Sequence, residues 1–210
     1  MEQRTISAKF ETREAENGAP QIFGHYAVYD SPYQVCDGWV ETIAPGAYDR
    51  ALLSGEDIKV LWNHDTNIVL GSTANGTAQL YTDAAGLAGP CDINTKDQAA
   101  MDGFARIERG DVTGCSFGFE IARQEESWDE DGTYRTRILE AYPLYEVSPC
   151  TFPAYRATSV SARAAEQLEE ARRRLAEQKA QKLETWRAEM KARLKGENHG
   201  TESPDAAPQH

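Results

Sequence analysis

The sequence predicts a mostly β, α+β protein that ends in one long helix, and three observations support this prediction. Short runs of aromatic and β-branched residues recur between turn dipeptides such as Asn75-Gly76 and Ala85-Gly86. Only two short helices, over residues 44–53 and 96–109, interrupt these runs. Residues 158–196 are rich in Ala, Glu, Lys, Arg and Gln, with a narrow apolar stripe typical of a helix.

The predicted strands follow each other in an order that favours a mostly antiparallel barrel or sandwich over a doubly wound sheet. We expect strands at residues 21–29, 39–43, 57–62, 69–72, 78–81, 87–91, 114–123, 135–140 and 144–148. Asn94 and Thr95 can cap the second short helix, and Gly110 can end it. The acidic stretch 125–132 is expected to be a loop.

Composition divides the chain into four expected segments. Residues 1–20 form a polar N-terminal segment, residues 21–157 a folded domain, residues 158–196 a charged amphipathic helix and residues 197–210 a disordered tail. The sequence contains no apolar signal core and no membrane-spanning run, so we expect a cytosolic location. The four cysteines have no CxxC spacing and no neighbouring histidine cluster, which argues against a zinc site and a disulfide framework.

The net charge of −12 is distributed unevenly. Residues 1–159 contain 12 Lys and Arg against 25 Asp and Glu, whereas residues 160–196 contain 10 against 6. The acidic body argues against nucleic-acid binding, because phosphate contacts require clustered basic residues. The basic helix is the only region whose charge suits an acidic partner.

One serine lies between two glycines in the segment Gly114-Cys115-Ser116-Phe117-Gly118. Flanking glycines allow a substrate backbone to approach closely, so Ser116 is a candidate nucleophile; the alternative is a small residue at a tight position. The segment matches the G-x-S-x-G pattern of α/β-hydrolases, which requires a strand before the serine and a helix after it. Here the order is reversed, and the only downstream histidines, His199 and His210, lie in the tail. The α/β-hydrolase interpretation therefore fails.

Cys115 is a rival nucleophile beside this serine. Successive side chains of a strand point to opposite faces, so Cys115 shares a face with Phe117 while Ser116 shares the other face with Gly118. The aromatic side should face the core. This placement favours the serine.

A serine nucleophile needs a base, and His25 and His64 are the candidates within the folded domain. His64 follows an apolar strand, where a side chain can reach a cleft, so we favour it over the mid-strand His25. The third member should be a carboxylate. Glu146 lies among apolar residues and would need a partner there; the alternative is an acid that faces water at a sheet edge. Asp65 is adjacent to His64 and is expected to point elsewhere.

Five blocks of the chain occur in a characteristic order and spacing: residues 24–29 (GHYAVY), 41–48 (ETIAPGAY), 61–65 (LWNHD), 114–119 (GCSFGF) and 146–154 (EVSPCTFPA). Together they resemble the prohead serine proteases of tailed phages. The resemblance covers roughly residues 24–157 and depends on the order and spacing of the blocks rather than on any one of them. The resemblance implies that His64 is the base, Ser116 the nucleophile and Glu146 the third catalytic member. Related herpesvirus assembly proteases use a second histidine, which keeps His25 as an alternative third member beside Asp65.

This resemblance also implies a fold and a role. The fold would be a herpesvirus-protease-like β-barrel with a few surrounding helices. The role would be an endopeptidase that cleaves scaffold or capsid-protein extensions, and then itself, without a metal or organic cofactor. Its expected partners are the major capsid protein, the scaffold protein and a second copy in a homodimer, with no nucleic acid and no membrane. The expected location is the immature capsid, or prohead, in the cytoplasm of the bacterial host.

The helix over residues 158–196 lies outside the resembling blocks. Its mixed charge and leucine stripe are typical of a targeting or scaffold-like segment that carries the protease into the prohead and is then removed. The main alternative function is a non-catalytic internal scaffold on a degenerate protease domain, which the presence of both His64 and Ser116 opposes. A small esterase is opposed by the missing downstream histidine.

Overall fold

A computed structural model describes residues 1–15, 18–152 and 158–197 of the chain, with the side chains of the C-terminal helix described over 163–193. These residues form eleven strands and three helices. The strands are β1 (Glu2–Ser7), β2 (Glu11–Glu14), β3 (Pro20–Val28), β4 (Tyr33–Cys36), β5 (Trp39–Ile43), β6 (Lys59–Trp62), β7 (Asp65–Ser72), β8 (Tyr81–Thr82), β9 (Gly86–Asp92), β10 (Gly114–Trp128) and β11 (Tyr134–Cys150). The helices are α1 (Asp49–Leu53), α2 (Gln98–Arg109) and α3 (Thr158–Glu197).

The strands are divided between two sheets. The larger sheet has seven strands in the order β1-β10-β11-β5-β4, with β6 pairing with both β11 and β7. The smaller sheet has the order β2-β3-β9-β8. The mostly β, α+β class with a long C-terminal helix is therefore confirmed. The hydrogen-bonded ladders of the described strands do not close into a ring, so the expected barrel is not confirmed.

A long antiparallel hairpin of β10 and β11 forms the centre of the larger sheet. β11 also pairs in parallel with β5, where Ile138 lies opposite Ile43, and with β6, where Val147 lies opposite Val60. The two strands expected at 135–140 and 144–148 are thus one strand. Its two halves have different parallel neighbours, and these could not be identified from local patterning.

The acidic loop expected at residues 125–132 is partly strand. Residues up to Trp128 remain paired with β11, and the turn spans only residues 129–133. Glu125 lies opposite Arg137 in this ladder. Arg137 forms its ion pair with Asp30, so the continuous pairing with β11 is what keeps this acidic stretch in a strand.

The N-terminal segment, expected only to be polar, contributes an edge strand to each sheet, β1 to the larger and β2 to the smaller. The buried side chain of β1 is Arg4, which forms an ion pair with Glu41 of β5. A strand that buries an arginine lacks the apolar alternation by which strands are recognised in a sequence. The sequence therefore gave no indication of β1.

Helices α1 and α2 begin later than expected. Asp97, not Asn94 or Thr95, caps α2: its Oδ1 accepts hydrogen bonds from the N–H groups of Ala99 (3.0 Å) and Ala100 (3.2 Å). Asp97 lies two residues before Ala99 and three before Ala100, which is the spacing that an N-cap side chain requires. Gly110 ends α2 with a φ of 87°, as expected. Residues 44–48, expected to be helical, precede α1 as turns.

The hydrophobic core determines which face of β10 carries the serine. Phe117 and Phe119 are fully buried, and their rings stack with centroids 5.4 Å apart. Because side chains alternate along a strand, this packing turns Ser116 and Gly118 to the opposite face.

Among the described side chains of α3, three large apolar ones are exposed: Leu183, Trp186 and Met190 are 46%, 55% and 39% accessible. None of the described helices combines the length and apolarity needed to cross a membrane. The disordered tail expected at 197–210 lies, apart from Glu197 at the end of α3, outside the described residues.

Candidate active site

His64 lies at the tip of the hairpin formed by β6 and β7. Trp62 pairs with Asp65, which leaves Asn63 and His64 as a two-residue connection. Their φ angles of 50° and 63° lie in the left-handed region, as a type I′ turn requires. Asn and His tolerate this region better than most residues. A tight turn, rather than the strand end that the sequence suggested, therefore presents the imidazole.

Hydrogen bonds fasten this turn to the end of β11. The Asn63 N–H donates to the carbonyl of Pro149 at 3.1 Å. The Asn63 side chain donates to Thr151 Oγ1 at 3.2 Å and accepts from the Thr151 N–H at 2.9 Å. The His64 N–H donates to Ser148 Oγ at 3.2 Å. Four contacts on a two-residue turn leave the His64 backbone little freedom relative to β11.

The imidazole of His64 contacts the carboxylate of Glu146. Nδ1 and Oε1 are 2.7 Å apart, and the Ser148 hydroxyl donates to the other oxygen, Oε2, at 2.5 Å. The Glu146 side chain is only 7% exposed, whereas that of His64 is 27% exposed. An ionised Glu146 makes Nδ1 the protonated nitrogen, because a carboxylate can only accept. This tautomer leaves Nε2 as a proton acceptor.

Ser116 lies in the strand next to this group. In the β10–β11 ladder Ser116 is opposite Ser148 and Gly118 is opposite Glu146, so all four residues share one face of the sheet. The Ser116 hydroxyl donates to the carbonyl of Arg4 at 2.9 Å, and the residue is 3% exposed. Within the described part of the chain no hydrogen bond joins Ser116 to His64. The structure thus brings His64 and Glu146 together and places Ser116 one strand away, with Ser148 between them.

Gly118 provides the space for the Glu146 carboxylate. A Cβ atom at this position would lie 2.7 Å from Oε1 of Glu146 and 3.0 Å from Sδ of Met1. Contacts this short would force the carboxylate or the backbone to shift. The sequence analysis attributed the flanking glycines to substrate approach. The structure gives this glycine an internal role, which is to accommodate the side chain that holds His64.

The remaining candidates lie elsewhere or face the core. Cys115 is fully buried, and burial together with the nearby Cys150 raises the pKa of its thiol well above the usual range, so it stays protonated. Nε2 of His25, on the smaller sheet, is 2.9 Å from a carboxylate oxygen of Asp83. Oδ1 of Asp65 accepts from the N–H and the side-chain amide of Asn67. The alternatives to Ser116 and Glu146 thus have other partners or a core position.

Sequence reasoning missed two residues of this group, Ser148 and Asn63. Ser148 is fully buried and contacts both Glu146 and the backbone of His64. Its spacing of two from Glu146 on a strand is a usable signal, because such residues share a face. Asn63 could have been identified as half of a two-residue hairpin connection. No group of three or more metal-ligating side chains occurs among the residues described.

Chemically, His64 can act as an oriented base beside the sheet face that also carries the Ser116 hydroxyl. Glu146 and Ser148 fix the imidazole through Nδ1 and the backbone, and the free Nε2 can accept a proton. The serine lies on the same sheet face as the carboxylate. These are the components of nucleophilic catalysis by an activated hydroxyl.

Comparison with known proteins gives one match. The family model described as Caudovirus prohead serine protease matches residues 7–173, which include β10, β11, the His64 turn and the first part of α3. No curated protein and no solved structure matches the chain.

Proposed function

The chain belongs to the caudovirus prohead serine protease family, and on that premise we propose that it is an endopeptidase with Ser116 as nucleophile, His64 as base and Glu146 as orienting acid. Its substrates would be the scaffold or capsid-protein extensions inside the immature capsid, and its own chain. The observation that supports these roles most strongly is the 2.7 Å contact between His64 Nδ1 and Glu146 Oε1. It leaves Nε2 free on the same side of the sheet as the Ser116 hydroxyl.

The proposed reaction is acyl transfer in two steps. His64 Nε2 takes the proton of Ser116 as Oγ bonds to the carbonyl carbon of the substrate. The carbon–nitrogen bond then breaks, and the amine product leaves with the proton returned by His64. A water molecule, deprotonated by the same nitrogen, attacks the acyl-enzyme and releases the carboxylate product and the free serine. Backbone N–H groups are the expected donors to the oxyanion.

The Ser116 hydroxyl must change its hydrogen bond before this reaction can begin. In the free chain it donates to the Arg4 carbonyl, so its proton is directed away from His64. A near-attack arrangement requires reacting atoms about 3–3.5 Å apart. We therefore propose that the enzyme becomes competent when β1 moves and Ser116 turns to His64.

The second half of α3 is proposed to carry the enzyme to the assembling capsid. The spacing of Leu183, Trp186 and Met190 places them on one helix face, and all three are exposed. An apolar stripe of this kind suits a helix of the scaffold or capsid protein, which fits the targeting segment predicted from the sequence. The chemistry of the site does not require this segment.

Co-expression with the cognate capsid protein tests the proposed function. The wild-type chain should trim the capsid protein and itself, whereas Ser116→Ala should trim neither. Ser127→Ala is a matched control, because Ser127 is an exposed serine on the same strand. Unchanged trimming with Ser116→Ala would remove Ser116 from the mechanism and favour a non-catalytic scaffold protein.

A further inference from the structure

The first strand of the chain covers the proposed nucleophile. Ser116 is 3% exposed, β1 lies beside it in the ladder, and its hydroxyl donates to the Arg4 carbonyl at 2.9 Å. In this ladder Arg4 lies opposite Phe117 and Thr5 lies opposite Ser116. The peptide group between Arg4 and Thr5 therefore occupies the position beside Ser116 Oγ that a scissile peptide group would have to take.

The Arg4 side chain fills a site built for a guanidinium group. It points to the face opposite Ser116, is 4% exposed, and donates to both carboxylate oxygens of Glu41, with Nη2 at 3.1 Å from Oε2. Glu41 is itself 1% exposed. The rings of Tyr33 and Phe119 each lie 5.8 Å from the guanidinium carbon. A bidentate carboxylate and two aromatic rings are the groups that recognise arginine.

Displacement of β1 would leave this site without its cation. β1 is the edge strand of the larger sheet, so its departure exposes the edge of β10 to an added peptide strand. The Glu41 carboxylate would then be buried and unpaired, which is strongly unfavourable. Thr136 Oγ1, 3.4 Å from Oε2, can donate a hydrogen bond but supplies no charge. A peptide with a basic side chain at the matching position restores the ion pair.

We propose that Glu41, Tyr33 and Phe119 form a subsite for a basic side chain on the substrate residue whose carbonyl faces Ser116, and that Arg4 fills it in the free chain. This inference rests on the proposed peptidase function and specifies its substrate class. The enzyme cuts after Arg and, less efficiently, after Lys, which lacks the planar fork that matches a carboxylate. A neutral residue at this position lowers kcat/KM by about a hundredfold or more, because Glu41 stays unpaired.

A peptide library tests the subsite with the full chain. The wild type and Ser116→Ala are incubated with a mixture of peptides from a digested proteome, and new termini are identified by mass spectrometry. We expect Arg, then Lys, before the cut, and no cutting by Ser116→Ala. Cutting that depends on Ser116 but shows no preference for a basic residue would overturn the subsite and leave the peptidase standing. Absence of any cutting that depends on Ser116 would count against the peptidase function and this inference together.

A charge exchange provides the decisive variant. Glu41→Gln alone removes the buried carboxylate that pairs with Arg4, leaves only the partly exposed Glu2 as its ion-pair partner, and can prevent folding. The double variant Arg4→Glu with Glu41→Arg is therefore used, because it restores a buried ion pair. We expect its preference to change from basic residues to Glu and Asp. The matched control is the exchange of the exposed pair Arg135 and Asp129, which should leave the basic preference intact. A charge-exchanged chain that folds, cuts peptides and still prefers Arg would contradict the assignment of Glu41.

Discussion

At the scale of single residues, the proposed catalysis depends on Glu146 as the group that orients His64. In Glu146→Gln the side-chain amide can donate to Nδ1, which places the ring proton on Nε2 and removes the base. Loss of the correct tautomer in a Ser-His-acid triad lowers the rate by about 10⁴-fold, and we expect a loss of this order here. The rate of capsid-protein trimming measures it, with soluble expression as the check on folding.

Glu120→Gln is the control for this substitution, because Glu120 is an exposed acid on the adjacent strand. It should trim at the wild-type rate. A Glu146→Gln chain as active as Glu120→Gln would show that Glu146 has no role in orienting the base.

Gly118 leads to a second prediction. Because glycine has no side chain, it leaves space for the carboxylate of Glu146. Gly118→Ala would place a Cβ atom 2.7 Å from Oε1 of Glu146 and displace the carboxylate from His64. A displacement of about 1 Å can cost about 10²-fold in rate, while overpacking lowers the free energy of unfolding by about 1–3 kcal/mol. Trimming assays and urea denaturation measure the two effects.

Ala122→Val adds bulk at an exposed position of the same strand and should affect neither. A Gly118→Ala chain with the wild-type rate would contradict this role of the glycine.

The sequence was informative about residues whose placement depends only on the alternation of side chains along a strand and on their polarity. Alternation correctly placed Cys115 and Phe117 toward the core and Ser116 away from it. The preference for Glu146 rested on its apolar neighbours, and the structure does place its carboxylate against His64. Ser148 and Arg4 were missed because their roles depend on which strands are adjacent. That depends on the parallel pairing of β11 with β6 and on the position of β1, which local patterns do not specify.

At the scale of elements, the hairpin of β6 and β7 positions His64. Asp57 stabilises the end of this hairpin that lies opposite the His64 turn. Burial alone would raise the pKa of Asp57, but hydrogen bonds from Lys59, the Ser72 hydroxyl and the Ala74 N–H outweigh it and hold the pKa at about 2. This value is below the ordinary 3.8, so the folded state binds the proton less tightly than the unfolded state. The stabilisation is therefore complete above about pH 4 and is lost as the pH falls toward 2.

Asp57→Asn tests this network. The variant should have a lower denaturation midpoint than the wild type at pH 7, and the difference should shrink as the pH is lowered from 4 to 2. Glu130→Gln is a suitable control, because that exposed carboxylate belongs to the distant turn between β10 and β11. A difference that stays constant between pH 7 and pH 2 would contradict the role assigned to Asp57.

Two strands with apolar alternation were predicted closely, and two strands with charged sequences were not. The strand from Trp39 to Ile43 was predicted with the observed bounds, and the strand observed as Pro20–Val28 was shifted by one residue. β1 is a strand although its buried side chain is charged, because Arg4 pairs with Glu41, and the outer half of β10 is a strand because its residues up to Trp128 pair with β11. A sequence read locally shows their charges but not those partners.

At the scale of the whole molecule, the acidic domain and the exposed stripe of α3 are expected to perform separate tasks. Replacing Leu183, Trp186 and Met190 by Glu should abolish packaging into proheads, because the apolar stripe is lost. Cutting of peptides in solution should remain, since the proposed catalytic residues lie in the β6–β7 turn, β10 and β11. Mass spectrometry of purified proheads measures packaging.

The control variant carries Glu at positions 181, 188 and 192, which are exposed on the opposite helix face and give the same change in charge from uncharged residues. It should be packaged normally. If both triple variants were packaged as well as the wild type, the stripe would not be the targeting surface.

The fold class was predictable because local patterns in the sequence indicate the order of strands and helices. Closure into a barrel was inferred from family resemblance instead, and the described ladders form two open sheets. Closure depends on pairing between strands far apart in the chain, for which no local pattern exists.

The central claim is that His64, Glu146 and Ser116 act as one catalytic unit, although no hydrogen bond joins Ser116 to His64 in the free chain. The most direct test compares initial rates of capsid-protein trimming by His64→Ala, Ser116→Ala and the double variant. Members of one unit are strongly non-additive, so the double variant should be no slower than the slower single variant. Losses that multiply in the double variant, or a Ser116→Ala chain that trims at the wild-type rate, would contradict the claim.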